Sequence, residues 1–216
     1  MTAANPPNLY FRQLEAGPMQ NFVYLLGDKE KKECVVVDPA WEIRKIIGAA
    51  EQDGMKVIGA LATHSHFDHV NGASELFAAT RGKTAINAEE AAFSNDFADK
   101  SGGVFVKFPP EQVDLVKGET RIRIGGIEVR TLLTPGHTPG SQCFLAGKYL
   151  ISGDTLFVGY CGRSDFAGGD PWKLFESLSK KLFLLDDDIV LYPGHNYSDR
   201  PFATMGDQKK TNPYLK

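Results

Sequence analysis

All five histidines of this 216-residue chain stand just behind an apolar run, and this constrains the fold more than any other feature. His64, His66 and His69 lie in "LATHSHFDHVNG" (61–72), His137 in "TPGHTPG" and His195 in "YPGHNY". The first three follow "KVIGALAT", which reads as a buried strand, and the other two follow Pro-Gly, which marks a sharp turn. Asp154 occupies the same kind of position in "YLISGDTL". Histidines scattered over a surface would not all fall at strand exits. α/β proteins commonly place ligands there, beyond the carboxyl ends of their strands.

The rest of the chain reads as short strands, turns and a few helices. "NFVYLLG" (21–27) and "ECVVVDP" (33–39) flank the charged turn "DKEKK" and predict a hairpin. In "WEIRKIIGAAEQDG" the residues Ile43, Ile46, Ile47 and Ala50 recur at helical spacing, and Gly54 ends the pattern. With "KVIGALAT" after it, this is a strand, helix, strand order that delivers the chain to His64. "NGASELFAAT" predicts the next helix and "EEAAF" a short one, while "EQVDLVKGETRIRIGGIEVRTLLTPG" alternates apolar and polar residues and predicts a β-meander. "SQCFLAGKYLISGD" predicts a hairpin turning at Gly147, "DPWKLFESLSKKLFLL" a helix, and "DIVLYPG" a last strand. No internal repeat or low-complexity linker interrupts the order.

Composition narrows the partners. A chain that is 42% hydrophobic can bury a full core, and its length favours one domain over residues 1–216. Twenty-four basic against 27 acidic residues give a formal charge of −3 and no basic footprint for nucleic acid, so a small-molecule partner is expected. No apolar run approaches a membrane span, and "MTAANPPNLYF" lacks the features of a secretory signal, so a soluble cytoplasmic protein without a membrane partner is expected. Oligomeric state is left open. Cys34, Cys143 and Cys161 are odd in number and form no CxxC pair, which argues against both a disulfide framework and a cysteine zinc site.

Metal chemistry accounts best for the histidines. On an extended segment residues i and i+2 share a face, so His64 and His66 can address one ion, while Asp68 and His69 come as the chain turns and can address a second. Neutral imidazole suits zinc, and carboxylates complete a shell or bridge two ions. A lone His-x-His is as easily a surface pair. Asp68, His69, His137, Asp154 and His195 added to it leave little room for that reading.

"HSHFDH", followed in order by His137, Asp154 and His195, resembles the His-x-His-x-Asp-His motif of the metallo-β-lactamase fold hydrolases, and the resemblance runs from "NFVYLLGD" to the end of the chain. It implies an α/β fold built as a four-layer αββα sandwich with the metals at one edge between the sheets. The two strand-rich halves, roughly 8–115 and 116–216, agree with this. Within the superfamily, "SGDTLFVGYCGR" and "YPGHNY" are similar to glyoxalase II, the hydroxyacylglutathione hydrolase, while "GHTPG" and "CGRSDF" are equally similar to persulfide dioxygenases. By that resemblance His64, His66 and His137 bind a first ion, Asp68, His69 and His195 a second, and Asp154 bridges them. Asp68 would also orient the nucleophile.

The expected cofactor is two zinc ions, and the expected reaction is cleavage of a thioester such as S-D-lactoylglutathione by a metal-bound hydroxide. The first alternative is a mononuclear iron dioxygenase for glutathione persulfide, with one Fe(II) held by His64, His137 and Asp154. The second is a non-catalytic binding module on the same fold. Arg163 falls where glyoxalase II has a glutathione-holding lysine, and Tyr197 matches a glutathione-contacting tyrosine. Against these stand a local salt bridge between Arg163 and Asp165 and a packed loop aromatic at Tyr197. Cys161 reads as a structural thiol. The chain stops about twenty residues after His195 without the helical C-terminal domain of glyoxalase II, and Lys209 and Lys210 read as a solvated basic end.

Overall fold

The computed structural model describes residues 4–216 and contains two six-stranded sheets. In spatial order the first sheet is β1 (Leu9–Ala16), β2 (Asn21–Asp28), β3 (Glu33–Val37), β4 (Lys56–Leu61), β5 (Thr84–Asn87) and β6 (Val113–Val116). The second holds β7 (Arg121–Ile124), β8 (Ile127–Leu133), β9 (Gln142–Ala146), β10 (Tyr149–Gly153), β13 (Val190–Pro193) and β14 (Ala203–Thr204), in the spatial order β14-β13-β10-β9-β8-β7. A small hairpin, β11 (Leu156–Phe157) with β12 (Tyr160–Cys161), stands apart from both.

Strand β2 shows why the layers number four. It is buried at every position, and alternate side chains must serve opposite faces. Val23 and Leu25 pack outward with Ile43, Ile46 and Ala50 of α1 (Ile43–Gln52). Phe22, Tyr24 and Leu26 pack inward with Ile124, Val129, Phe144 and Ile151 of the second sheet. Strand β9 repeats the arrangement from the other side. Its Phe144 and Ala146 face the inter-sheet core, while Cys143 and Leu145 meet Leu174 and Leu178 of α5 (Pro171–Lys180). The result is the αββα sandwich expected from the sequence.

The strand, helix, strand unit is present as read, with β3 and β4 parallel on either side of α1. The expected β2–β3 hairpin is also present, with Leu25 opposite Val36. Three expectations change. The stretch read as one meander is divided: β6 pairs parallel to β5 at the edge of the first sheet, Gly118 (φ 59°) lies in the crossing, and only β7 and β8 form a hairpin, turning at Gly125 and Gly126. Alternation reports a half-buried strand but not its neighbour. Second, β1 adds a strand that the sequence reading passed over, paired antiparallel to β2 along its length. Third, the C-terminal stretch is packed, with α6 (Met205–Thr211) followed by a fully buried Leu215 and with Lys209 paired to Asp187. Among the described residues no helix is long and apolar enough to cross a membrane.

Because Phe144 is fully buried between the sheets, Phe144→Ala is predicted to destabilise the fold by about 3–5 kcal/mol, read as a lower urea midpoint.

Candidate metal centre

Strands that end at one rim of the sandwich deliver the parts of the site. β4 leads into His64 and His66, and the short helix α2 (Phe67–Val70) carries Asp68 and His69. His137 follows β8, Asp154 follows β10 and His195 follows β13. All seven side chains converge, and the five histidines and Asp68 are at most 7% exposed. His66 Nδ1 lies 3.1 Å from both His64 Nε2 and His137 Nε2. On the other side His69 Nε2 is 3.1 Å from His195 Nε2, with Asp68 Oδ2 at 3.3 Å from His195 and 3.5 Å from His69. Asp154 spans both groups, at 3.3 Å from His69, 3.5 Å from His195 and 3.6 Å from His137.

Proton accounting shows what these contacts require. His137 Nδ1 donates to Arg163 O at 2.7 Å and His195 Nδ1 to Met19 O at 3.0 Å, since a carbonyl can only accept. His69 Nδ1 donates to Asp38 Oδ2 at 2.9 Å. Thr63 Oγ1 spends its hydrogen on Asp38 Oδ2 at 2.7 Å and so accepts from His64 Nδ1 at 3.0 Å. In four of the five rings the neutral form therefore points a bare Nε2 inward. Bare nitrogens 3.1 Å apart repel unless a cation or a proton stands between them. The buried Asp154 Oδ1 likewise has no hydrogen-bond partner among the described residues. A donor set of imidazole nitrogen and carboxylate oxygen, with outer nitrogens tied to acceptors, fits divalent transition metals.

The two halves differ electrostatically. Burial, reinforced by neighbouring imidazoles, pushes His64 well down and His66 to about 3, and burial also lowers His137. Burial opposes charge on His69 and His195 as well, but Asp154 outweighs it, with help from Asp38 and Asp68 at His69 and from Asp68 at His195. His69 is held well above the usual imidazole value and His195 at about 9. Without an ion, the second half holds protons where the first half holds none.

Three supporting residues escaped the sequence reading. Asp38 is 2% exposed and has a left-handed φ of 55°, a conformation uncommon for a residue other than glycine. Besides His69 and Thr63 Oγ1 it accepts from Thr63 N at 2.7 Å. Its oxygens are thus spent on orienting ligands, although they lie close enough to His64 and His69 to form a metal group by distance alone. Asn21 donates to Asp68 Oδ2 at 3.0 Å and accepts from Trp41 Nε1 at 3.1 Å. Glu90, fully buried in α4 (Ala88–Phe97), accepts from Ser65 N at 2.9 Å and Gly140 N at 2.8 Å, joining the loop of His64 and His66 to the loop of His137. The available signal for Asp38 was a carboxylate closing a wholly apolar strand. Asn21 and Glu90 had none. The Pro-Gly before His195 has a steric reason, since a Cβ on Gly194 would fall 2.3 Å from Asp154 Oδ1.

The substrate residues stand differently. Arg163 lines the cleft of about 600 Å³ above the cluster, but its Nε and Nη2 donate to the two oxygens of Asp165 at 2.9 and 3.0 Å. This is the local salt bridge weighed against a ligand role. Tyr197 stacks on His195, with ring centroids 4.8 Å apart and planes 5° from parallel, and its hydroxyl has no partner among the described residues. Cys161 is half-buried on the cleft wall, and Cys34 and Cys143 are fully buried free thiols.

Residues 16–195 match the metallo-beta-lactamase superfamily. The chain belongs to that superfamily. It is 30% identical over 196 residues to a probable polyketide biosynthesis zinc-dependent hydrolase, BaeB, of Bacillus velezensis, covering 90% of this chain and 81% of the relative. It is 29% identical to the human mitochondrial persulfide dioxygenase ETHE1, covering 96% of this chain and 76% of that protein. Among solved structures, TTHA1623 in a di-iron-bound form superposes with a TM-score of 0.77 at 33% identity, over 94% of this chain and 100% of the other.

Two predictions follow from this geometry. Acidification should strip an ion held by Asp68, His69 and His195 before one held by His64, His66 and His137, because protons compete for His195 below about 9, whereas His66 stays neutral down to about 3. Metal content after dialysis along a descending pH series would show the order. Asp38→Asn removes the charge and puts an NH2 donor where an oxygen now accepts from Thr63 or His69, and metal affinity should fall about 10–100-fold in a chelator competition titration.

Proposed function

We propose that this chain is a dinuclear metal-dependent hydrolase, zinc-loaded, that cleaves a small thioester. The observation that carries the reading is that both ligand groups are complete and joined through Asp154, with the outer nitrogens of His64, His69, His137 and His195 already held in the metal-binding tautomer. When bound, such ions lower the pKa of water to about 7 and polarise a carbonyl. The chain's own groups do the rest. Asp68 lies on the cleft floor, and although burial opposes its charge, His195, His69 and Asn21 hold its carboxyl well below the usual range. It is therefore ionised at neutral pH and able to accept a hydrogen bond from an attacking water. Phe67, Phe157 and Phe166 wall the cleft and exclude bulk water from the reacting carbonyl. A thiolate leaves without a strong acid, so a thioester suits a site whose cleft is poor in donors.

The second reading is a persulfide dioxygenase with one iron at His64, His137 and Asp154. Its support is the likeness to ETHE1 across nearly the whole chain. That reading leaves the preorganised triad of Asp68, His69 and His195 without a use, which is why it stands second. The di-iron form of the similar structure keeps the element open while favouring two ions.

Elemental analysis joined to activity after reconstitution separates the two. The hydrolase predicts about two equivalents of metal per chain and thioester cleavage without oxygen uptake. One equivalent of iron, with oxygen consumed on a persulfide and no thioester cleavage, would replace it with the dioxygenase.

A further inference from the structure

Two clefts meet at residues 161–165. The metal cleft shares Cys161 and Arg163 with a neighbour of about 730 Å³, whose lining includes Leu174, Phe175, Leu178 and Tyr214. Large hydrophobic side chains left exposed elsewhere on the protein are scattered, but here they gather. Met19, Val104, Tyr160 and Tyr197 stand half-exposed around the metal cleft, and Phe175 and Tyr214 do so in its neighbour. Single exposed apolar residues are ordinary, whereas a contiguous set rimming a polar floor marks a binding groove.

Charge says what enters the groove. Apart from the histidines of the metal cluster, Arg163 is the one basic residue among the described residues lining the metal cleft. The Nε and Nη2 edge of its fork is matched to Asp165, the Nη1 edge has no partner among the described residues, and its guanidinium carbon lies 5.4 Å from the Phe166 ring centre. The crossing between the clefts is thus neutral as a pair. A substrate carboxylate meets Arg163 either at its Nη1 edge, with the charge of Asp165 already beside it, or by displacing Asp165, and either way it gains less than from an unpaired guanidinium. The neighbouring cleft adds one more cation, Lys216, to a lining that also holds Leu174, Phe175 and Asp165.

We infer that the site selects thioesters with uncharged, apolar arms that run from the metal cleft across Cys161 and Arg163 into the neighbouring cleft, and that Asp165 disfavours tripeptide thioesters by neutralising Arg163. This rests on the thioesterase reading above, and it turns that reading away from glutathione conjugates. Asp165 acts here through Arg163 and sets specificity without touching the reacting atoms.

The test measures binding of uncleavable thioethers to the metal-loaded full chain, so that it does not depend on turnover. S-hexyl-N-acetylcysteamine, which is neutral, should bind about tenfold more tightly than S-hexylglutathione, whose two carboxylates meet, away from the metal ions, only a guanidinium already paired with Asp165. Asp165→Asn should narrow that ratio about three- to fivefold by releasing Arg163, the range expected for an exposed ion pair. Lengthening the neutral thioether from hexyl to dodecyl should tighten binding, and Phe175→Ser should remove most of that gain. Equal or tighter binding of S-hexylglutathione, or a ratio indifferent to Asp165→Asn, overturns the specificity; a chain-length gain that survives Phe175→Ser overturns the path into the second cleft. If the thioethers bind in the expected order while the matching acyl thioesters are not cleaved with both ions present, the specificity stands and the hydrolase reading falls.

Discussion

Inward-facing nitrogens at about hydrogen-bonding distance, which only a proton or a cation can bridge, are the condition on which the site depends. His69 and His195 show it directly, since each has its Nδ1 hydrogen committed elsewhere and their Nε2 atoms lie 3.1 Å apart. Such an arrangement is repulsive on its own, and burial removes the water that would relieve it. It persists because the scaffold holds the rings from outside, through Asp38, Thr63, Arg163 O and Met19 O, and because Asp68 and Asp154 supply negative charge that attracts protons or metal ions to the centre. The raised pKa values of His69 and His195 and the depressed ones of His64 and His66 express one asymmetry, since both carboxylates crowd the second half.

The two-sheet scaffold makes this rigidity possible. Each ligand loop starts from the end of a buried strand, so its position follows from a core made of side chains such as Tyr24, Phe144 and Ile151. The loops are also tied to one another. Glu90 joins two of them through backbone N–H groups, and Gly194 lets the His195 turn approach Asp154 and His69 more closely than a Cβ would allow. Packing of the sheets therefore leads directly to ligand geometry, and the geometry sets which tautomer each histidine presents.

A metal centre says little about what it attacks, so selectivity has to come from the cleft walls. Here the walls are aromatic and aliphatic, and the one cation among them carries its own counter-charge. An Arg at this position reads as an anion clamp until its neighbour two residues on is included. The pairing with Asp165 is local, and the motif "CGRSDF" contains both partners.

The sequence by itself singled out the seven side chains that cluster, the strand, helix, strand entry to them and the layered α/β class. The entry rests on short-range periodicity, two residues per strand repeat and 3.6 per helical turn, whereas the candidate ligands and the layered class rest on turn residues next to histidines and on the resemblance of "HSHFDH" to the superfamily motif. Tertiary structure alone decided that Val113–Val116 joins the first sheet, because alternation is the same whichever neighbour a strand pairs with. It alone decided the roles of Asp38, Asn21 and Glu90, whose partners lie 20 or more residues away and whose side chains carry no pattern until they are buried. Local spacing can name the atoms able to bind a metal. Which nitrogen faces inward depends on long-range hydrogen bonds, and those exist only once the two sheets have closed on each other.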